Sequence, residues 1–162
     1  MFNKSKSKNY VKNSESNQII FDKEAGWISD TFSIFPIVGG FEKCVEDLAP
    51  GKTKGMILNG EYHENAFDFA KYIKVNIDDQ DLLTVDPASN TKTEEGKEIV
   101  AFLKNGRKTY VDKDILSIIN KPEQRAFTQS EHSEFAPIYI WKKQEWIDNT
   151  IIGMIMPIRA SN

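Results

Sequence analysis

Few residues in this chain are equipped for chemistry. It carries two histidines and one cysteine. His63 precedes Glu64, and His132 stands in a His-Ser-Glu run with Glu134. Neither makes the His-x-x-x-His spacing that sets two imidazoles on one helix face to hold a metal. Both lie in polar, loop-like stretches, as surface histidines do. Cys44 falls on the apolar side of a helical pattern, whereas a reactive thiolate needs an electropositive, accessible setting. Asp78, Asp79 and Asp81 cluster but lack the glycine and distal glutamate of a calcium loop. Gly51-Lys52-Thr53 has the closing letters of a phosphate loop without its upstream glycine. These residues yield no catalytic group, no metal site and no cofactor, and the reading is of a protein that is not an enzyme.

Composition narrows the class. The 162 residues are 40% hydrophobic and 28% charged, with a net charge of -3. That is enough chain for one domain and a tail. The acidic balance argues against a wholly basic nucleic-acid coat but leaves room for a local basic face. A single cysteine excludes an intramolecular disulfide framework and suits a reducing compartment. No apolar run approaches the roughly 20 residues of a membrane span, and the lysines at the start have no apolar segment behind them, unlike a signal peptide. A soluble, cytoplasmic protein is expected.

Positioning elements follow from periodicity and turn chemistry. Residues 1–17 are mostly Lys, Ser, Asn and Glu and predict a flexible basic tail, either solubilising or an arm for nucleic acid or an acidic partner. Residues 18–162 predict one domain. Gln18–Phe21 and Trp27–Val38 read as strands, the latter broken by Pro36. Phe41, Val45 and Leu48 share a helical face that ends at Pro50-Gly51. Met56–Tyr62 is a hairpin centred on Asn59-Gly60. Ala66, Phe69, Ala70 and Ile73 repeat with helical spacing, Val75–Val85 predicts a second hairpin, and residues 86–97 a loop. A third hairpin turns at Asn105-Gly106 between Glu98–Leu103 and Arg107–Val111. Asp112 resembles an N-cap for a short helix through Ile115, Leu116, Ile118 and Ile119. Strands at Arg125–Gln129, Pro137–Trp141 and Thr150–Ile158 complete an α+β pattern. Residues 56–73 and 102–119 share an order of apolar residues, Asn-Gly, polar residues and helix, a weak sign of duplication.

The second half carries a further pattern. A strand ending at Val85 leads to an acidic, Gly-containing stretch from Thr91 to Phe102. Next come Tyr110-Val111-Asp112-Lys113-Asp114-Ile115-Leu116, then Ala136-Pro137-Ile138, and the pattern closes on Met156-Pro157-Ile158-Arg159. The order resembles the last domain of the bacterial β sliding clamp, the ring that tethers replicative DNA polymerase. That family has a strand running into a Phe-Asn-x-x-Tyr-Leu helix, a Ser-Pro-Val step and a closing Met-Pro-x-Arg. The resemblance covers roughly residues 75–159. The family's helix asparagine is absent, and the tail and Ala160-Ser161-Asn162 depart from the pattern.

The resemblance implies a clamp-like α+β domain of two β-α-β units, with antiparallel sheets outside and two short helices inside. It implies a non-enzymatic processivity factor in DNA replication. A one-domain chain would close a ring around duplex DNA as a homo-oligomer, most simply of six chains. Sliding needs phosphate attraction without base reading; Lys71, Lys74, Lys113, Lys121 and Arg125 are the candidate DNA-binding residues. Met154, Met156, Pro157 and Ile158 on the last strand would line a pocket for a polymerase or other clamp-binding peptide. The competing reading is a monomeric interaction protein, an inhibitor or mimic that binds a replication or defence protein.

Overall fold

Both Asn-Gly dipeptides turn the chain through left-handed backbone: φ is 50° at Asn59 and 83° at Gly60, and 50° at Asn105 and 76° at Gly106. Positive φ at both central positions marks the type I′ turn, whose twist matches that of the strands it joins. The two predicted hairpins close there, with Leu58 paired to Glu61 and Lys104 to Arg107. The structure, a computed structural model, describes residues 2–12, 18–65, 67–73, 82–86, 91–122, 125–129, 135–142 and 150–159. The chain divides into two compact units, Met1–Val75 with Ile118–Asn120, and Asn76–Ser117 with Lys121–Asn162.

Unit 1 contains helix α1 (Lys4–Lys12), strands β1 (Gln18–Asp22), β2 (Trp27–Ser29) and β3 (Ser33–Pro36), and helix α2 (Phe41–Leu48). Strands β4 (Lys54–Leu58) and β5 (Glu61–His63) and a single turn, α3 (Ala70–Ile73), follow. β1, β2 and β3 form an antiparallel meander; α2 then carries the chain across so that β4 pairs with β1, giving the order β5-β4-β1-β2-β3. Gly55 on β4 sits where a Cβ would stand 2.8 Å from the His63 carbonyl and inside the Tyr62 ring. Helix α3 is shorter than the periodicity predicts. Asn65 and Asp68 accept hydrogen bonds from the amides of Phe67 and Ala70, and these local turns compete with helix over the preceding residues.

Residues Lys4–Lys12 form a helix where composition predicts a flexible tail. Asn3 caps it by accepting from the Lys6 amide at 3.1 Å. Its anchor is a cluster of four rings. Phe2 and Tyr10 meet both Phe35 of β3 and Phe41 of α2 edge-on at 5.3–5.7 Å, and Phe35 and Phe41 stack at 5.6 Å. Such contacts contribute about 0.5–1.5 kcal/mol each beyond simple burial. Gly40 lets α1 approach, since a Cβ there would lie 3.0 Å from Ser7 Oγ and 3.1 Å from the Lys4 Cα.

Beneath the rings runs a buried polar chain. The Tyr10 hydroxyl lies 2.8 Å from Ser33 Oγ and accepts from the Asp30 amide at 2.8 Å. Asp30 Oδ1 accepts from the Ser33 hydroxyl and from the amides of Phe32 and Ser33. Thr31 between them is held at φ 79°, a strained conformation for a β-branched residue.

Unit 2 contains β6 (Leu82–Val85), β7 (Thr91–Lys92), β8 (Glu98–Lys104), β9 (Arg107–Asp112), the single turn α4 (Lys113–Leu116), β10 (Arg125–Thr128), β11 (Ile138–Lys142) and β12 (Ile151–Ile155). β9 lines one edge of β8, while β6 and β7 pair with opposite ends of its other edge. β10 then pairs with β6 and continues through β11 to β12. Asp112 caps α4 as predicted, accepting from the Asp114 amide at 2.8 Å; its other oxygen pairs with Lys97 at 2.8 Å. The helix stops before Ile118 because the Asn3 amide takes the Ile118 carbonyl at 2.7 Å and Phe2 forms a bridge with Ile119. The core of this unit includes Ile99, Phe102, Phe127, Ile138, Ile140 and Ile152. Gln129, fully buried, ties β8, β9 and β10 together: its oxygens accept from Lys104 and Arg107, and its amide donates to the Ala136 carbonyl.

The structure is thus mixed helix and antiparallel strand, an α+β fold. Of the hairpin predicted over Val75–Val85, residues 75–81 lie outside the described residues. No helix among the described residues is long and apolar enough to cross a membrane.

Two substitutions test the buried chain. Tyr10→Phe leaves the Asp30 amide without its acceptor and should cost about 1–3 kcal/mol in denaturant unfolding. Burial raises the Asp30 carboxyl above its ordinary range, against the lowering effect of its hydrogen bonds. A raised carboxyl favours the folded state fully below its unfolded value, and that contribution is lost as pH rises through the folded value. Asp30→Asn keeps an oxygen acceptor and cannot ionise. Its melting temperature relative to the parent should therefore rise as pH climbs from below the ordinary carboxylate range through the raised folded value; an unchanged difference would show that the carboxyl is not held above its unfolded value.

Candidate nucleic-acid interface and partner surface

A phosphate-binding surface needs exposed cations on rigid elements. Lys71, the second residue of α3, is exposed. Lys74 lies outside the described residues. Lys113 opens α4 and is exposed, with its ammonium 3.0 Å from Glu98 of β8; this pair holds the Glu98 carboxyl below its ordinary range. Lys121 is exposed in left-handed backbone at φ 52°. Arg125, at the start of β10, is only half-exposed, stands opposite Lys142, and has its Nε buried without a hydrogen-bond partner. Lys71 belongs to unit 1, and Lys113, Lys121 and Arg125 belong to unit 2. Arg125 therefore fits a free phosphate contact less well than the exposed Lys71 and Lys121, and Lys113 already has Glu98 as a partner.

A further group of exposed cations lies in the segment expected to be a flexible tail. Helix α1 exposes Lys4, Lys6, Lys8 and Lys12 and turns Ser7 and Tyr10 inward. The signal was available in Phe2 and Tyr10, two turns apart in an otherwise polar run, with Asn3 in place to cap.

The last strand separates into two parts. Met154 lies within β12 opposite Tyr139 and is 5% exposed, so it is core and does not line an open pocket. Met156, Pro157 and Ile158 follow the strand and are half-exposed. Ile158 is tied down by its amide, which donates to the Tyr110 carbonyl at 2.9 Å. Arg159 lies over the exposed Phe135 ring at 5.1 Å. The residues left half-exposed at this end are therefore Met156, Pro157 and Ile158, with Ile158 held against Tyr110.

The residues weighed for catalysis are dispersed. His63 is exposed on β5, and His132, Asp78, Asp79 and Asp81 lie outside the described residues. Cys44 donates to the Gly40 carbonyl at 3.1 Å, and burial together with the Asp47 charge pushes its thiol up. Gly51-Lys52-Thr53 leads into strand β4 instead of the helix a phosphate loop requires. Lys52 lies over the Tyr62 ring. Nearby, Thr53, Lys54, Tyr62, Glu64 and Asn65 line a surface depression of about 470 Å³. Among the described residues no group of three or more His, Cys, Asp or Glu is arranged to hold a metal ion.

Compared with models of known protein families, with curated proteins and with solved structures, the chain matches none.

Burial separates the two methionines in a single experiment. Met154→Ala should lower folding stability by about 2–5 kcal/mol. Met156→Ala, at a half-exposed position, should lower it by roughly 1 kcal/mol or less. A loss of about 2–5 kcal/mol for both in chemical denaturation would place both in the core and remove Met156 from the partner surface.

Proposed function

We propose that this protein is a non-enzymatic DNA tether of sliding-clamp type, assembled as a homo-oligomeric ring. The observation that carries the reading is the repeated wiring of the two units. In unit 1 a meander β1-β2-β3 is followed by α2 and by β4 paired to β1. In unit 2 strands β6, β8 and β9 are followed by α4 and by β10 paired to β6. Each contains a strand-helix-strand crossover in an antiparallel sheet, as a clamp-like domain of two β-α-β units requires. The matching sequence pattern falls in unit 2: Tyr110–Leu116 runs from β9 into the second crossover's α4, Ala136–Ile138 leads into β11, and Met156–Arg159 follows β12.

In this reading duplex DNA is held through phosphates alone, so that no base contact pins the ring. Lys71, Lys113 and Lys121 supply exposed cations, with Lys74 and Arg125 completing the set. Met156, Pro157 and Ile158 offer a small apolar surface for a polymerase or another clamp-binding peptide. The second reading, a monomeric inhibitor or mimic, draws on the same surface and needs no ring.

Solution mass tests the proposal directly. Light scattering at micromolar concentration should give a defined multimer, with six chains the first choice. The assembled protein should stay on nicked circular DNA and slide off the same DNA once it is linearised. A monomer, or equal retention on both substrates, would overturn the ring and leave the second reading.

A further inference from the structure

We infer that the exposed ridge of helix α1 is a docking surface for the phosphate backbone of duplex nucleic acid. Lys4, Lys8 and Lys12 recur every fourth residue, so they line one side of the helix. At 1.5 Å per residue they stand about 6 Å apart along the helix axis. Phosphates of one DNA strand advance about 3.4 Å along the duplex axis, so each lysine step spans roughly two of them. Lys6 adds a fourth exposed cation on the same helix.

The ridge keeps its charge. No lysine of α1 makes a salt bridge among the described residues. Of the acids on neighbouring α2, Glu46 is held by Lys23 at 2.7 Å, and Glu42 and Asp47 are exposed. The helix begins with no acidic residue in its first turn, where negative charge would favour it. Lys4 and Lys6 at the start of the helix therefore work against its dipole, while Lys12 in the last turn favours it; the ring cluster, the Asn3 cap and the Tyr10 hydrogen bonds hold the helix in place.

The chemistry of the ridge selects among polyanions. Residues Lys4, Ser5, Lys6, Lys8, Asn9 and Lys12 are all exposed and polar, whereas Phe2 and Tyr10 point inward. A membrane-surface helix needs apolar side chains to enter the lipid, and a specific protein interface needs aromatic or apolar anchors. Single-stranded nucleic acid is gripped by stacking on exposed aromatics. The ridge offers no exposed aromatic, and its one flanking apolar side chain, Val11, is only half-exposed; regularly spaced cations suit duplex phosphates. The inference rests on the tether reading only in taking DNA, instead of RNA, as the duplex.

The test is a salt titration of the full chain binding a labelled random-sequence DNA duplex, comparing the parent with Lys4→Gln/Lys8→Gln/Lys12→Gln. All three side chains are exposed, and thermal unfolding checks that the variant folds. The slope of log K against log salt should fall in magnitude by roughly 2–3, at about 0.9 per phosphate contact, and low-salt affinity by at least about tenfold. An unchanged slope overturns the ridge. So does a parent that ignores duplex DNA but binds phosphatidylserine vesicles or polyglutamate. Light scattering on the same samples separates the two ideas. A monomer whose DNA binding depends on the ridge keeps this inference and removes the ring; a ring whose slope is indifferent to the ridge does the reverse.

Discussion

The four-ring cluster of Phe2, Tyr10, Phe35 and Phe41 is the interaction on which the layering of unit 1 depends. Without it, α1 is a nine-residue segment carrying four lysines and no acid, far too short and too strongly self-repelling to be helical alone. With it, the helix has two aromatic anchors two turns apart that close over the β3–α2 corner. The rings also keep water from the Tyr10–Ser33–Asp30 chain, where an unmade hydrogen bond would be expensive. The aromatic contacts supply affinity, and the polar chain fixes the register in which α1 sits.

That arrangement separates holding from presenting. The inward side of α1 is committed to rings and hydroxyls, and the outward side is free to carry charge. The same division recurs at the other end of the chain, where Met154 and Ile155 are buried within β12 while Met156 and Pro157 emerge from it. Each candidate surface is thus carried on an element that the core already restrains, which limits the ordering entropy lost when a partner binds.

Much of the fold was legible from local signals. The Asn-Gly turns, the α2 face of Phe41 and Val45, the Asp112 cap and most strands follow from rules acting within a few residues. What was not legible depended on distant partners. Residues Lys4–Lys12 look disordered by composition because their stabilisation comes from Phe35 and Phe41. Ile118 and Ile119 have helical spacing, yet leave α4 because Phe2 and Asn3 engage them. The apparent duplication between 56–73 and 102–119 matched turn chemistry and missed the wiring. β4-β5 joins a sheet beside β1, while β8 lies between β6 and β9. Of the candidate residues, Lys71, Lys113 and Lys121 are exposed. The fate of Met154 turned on strand pairing, which an apolar run of nine residues does not specify.

The repeated crossover also shapes how the chain folds. The hairpins at Asn59-Gly60 and Asn105-Gly106 close over two residues and are fast events. Neither sheet is complete at that stage. Ile20 must find Met56, and Leu83 must find Phe127, across everything that lies between them. Such non-local pairings lose loop entropy before they gain contact energy, and they set the pace in topologies of this kind. Each unit therefore has its slow step at the equivalent place, the docking of the strand after the helix. Until it occurs, β1 and β6 each present an unpaired edge, which makes this the stage at which two nascent chains could exchange strands.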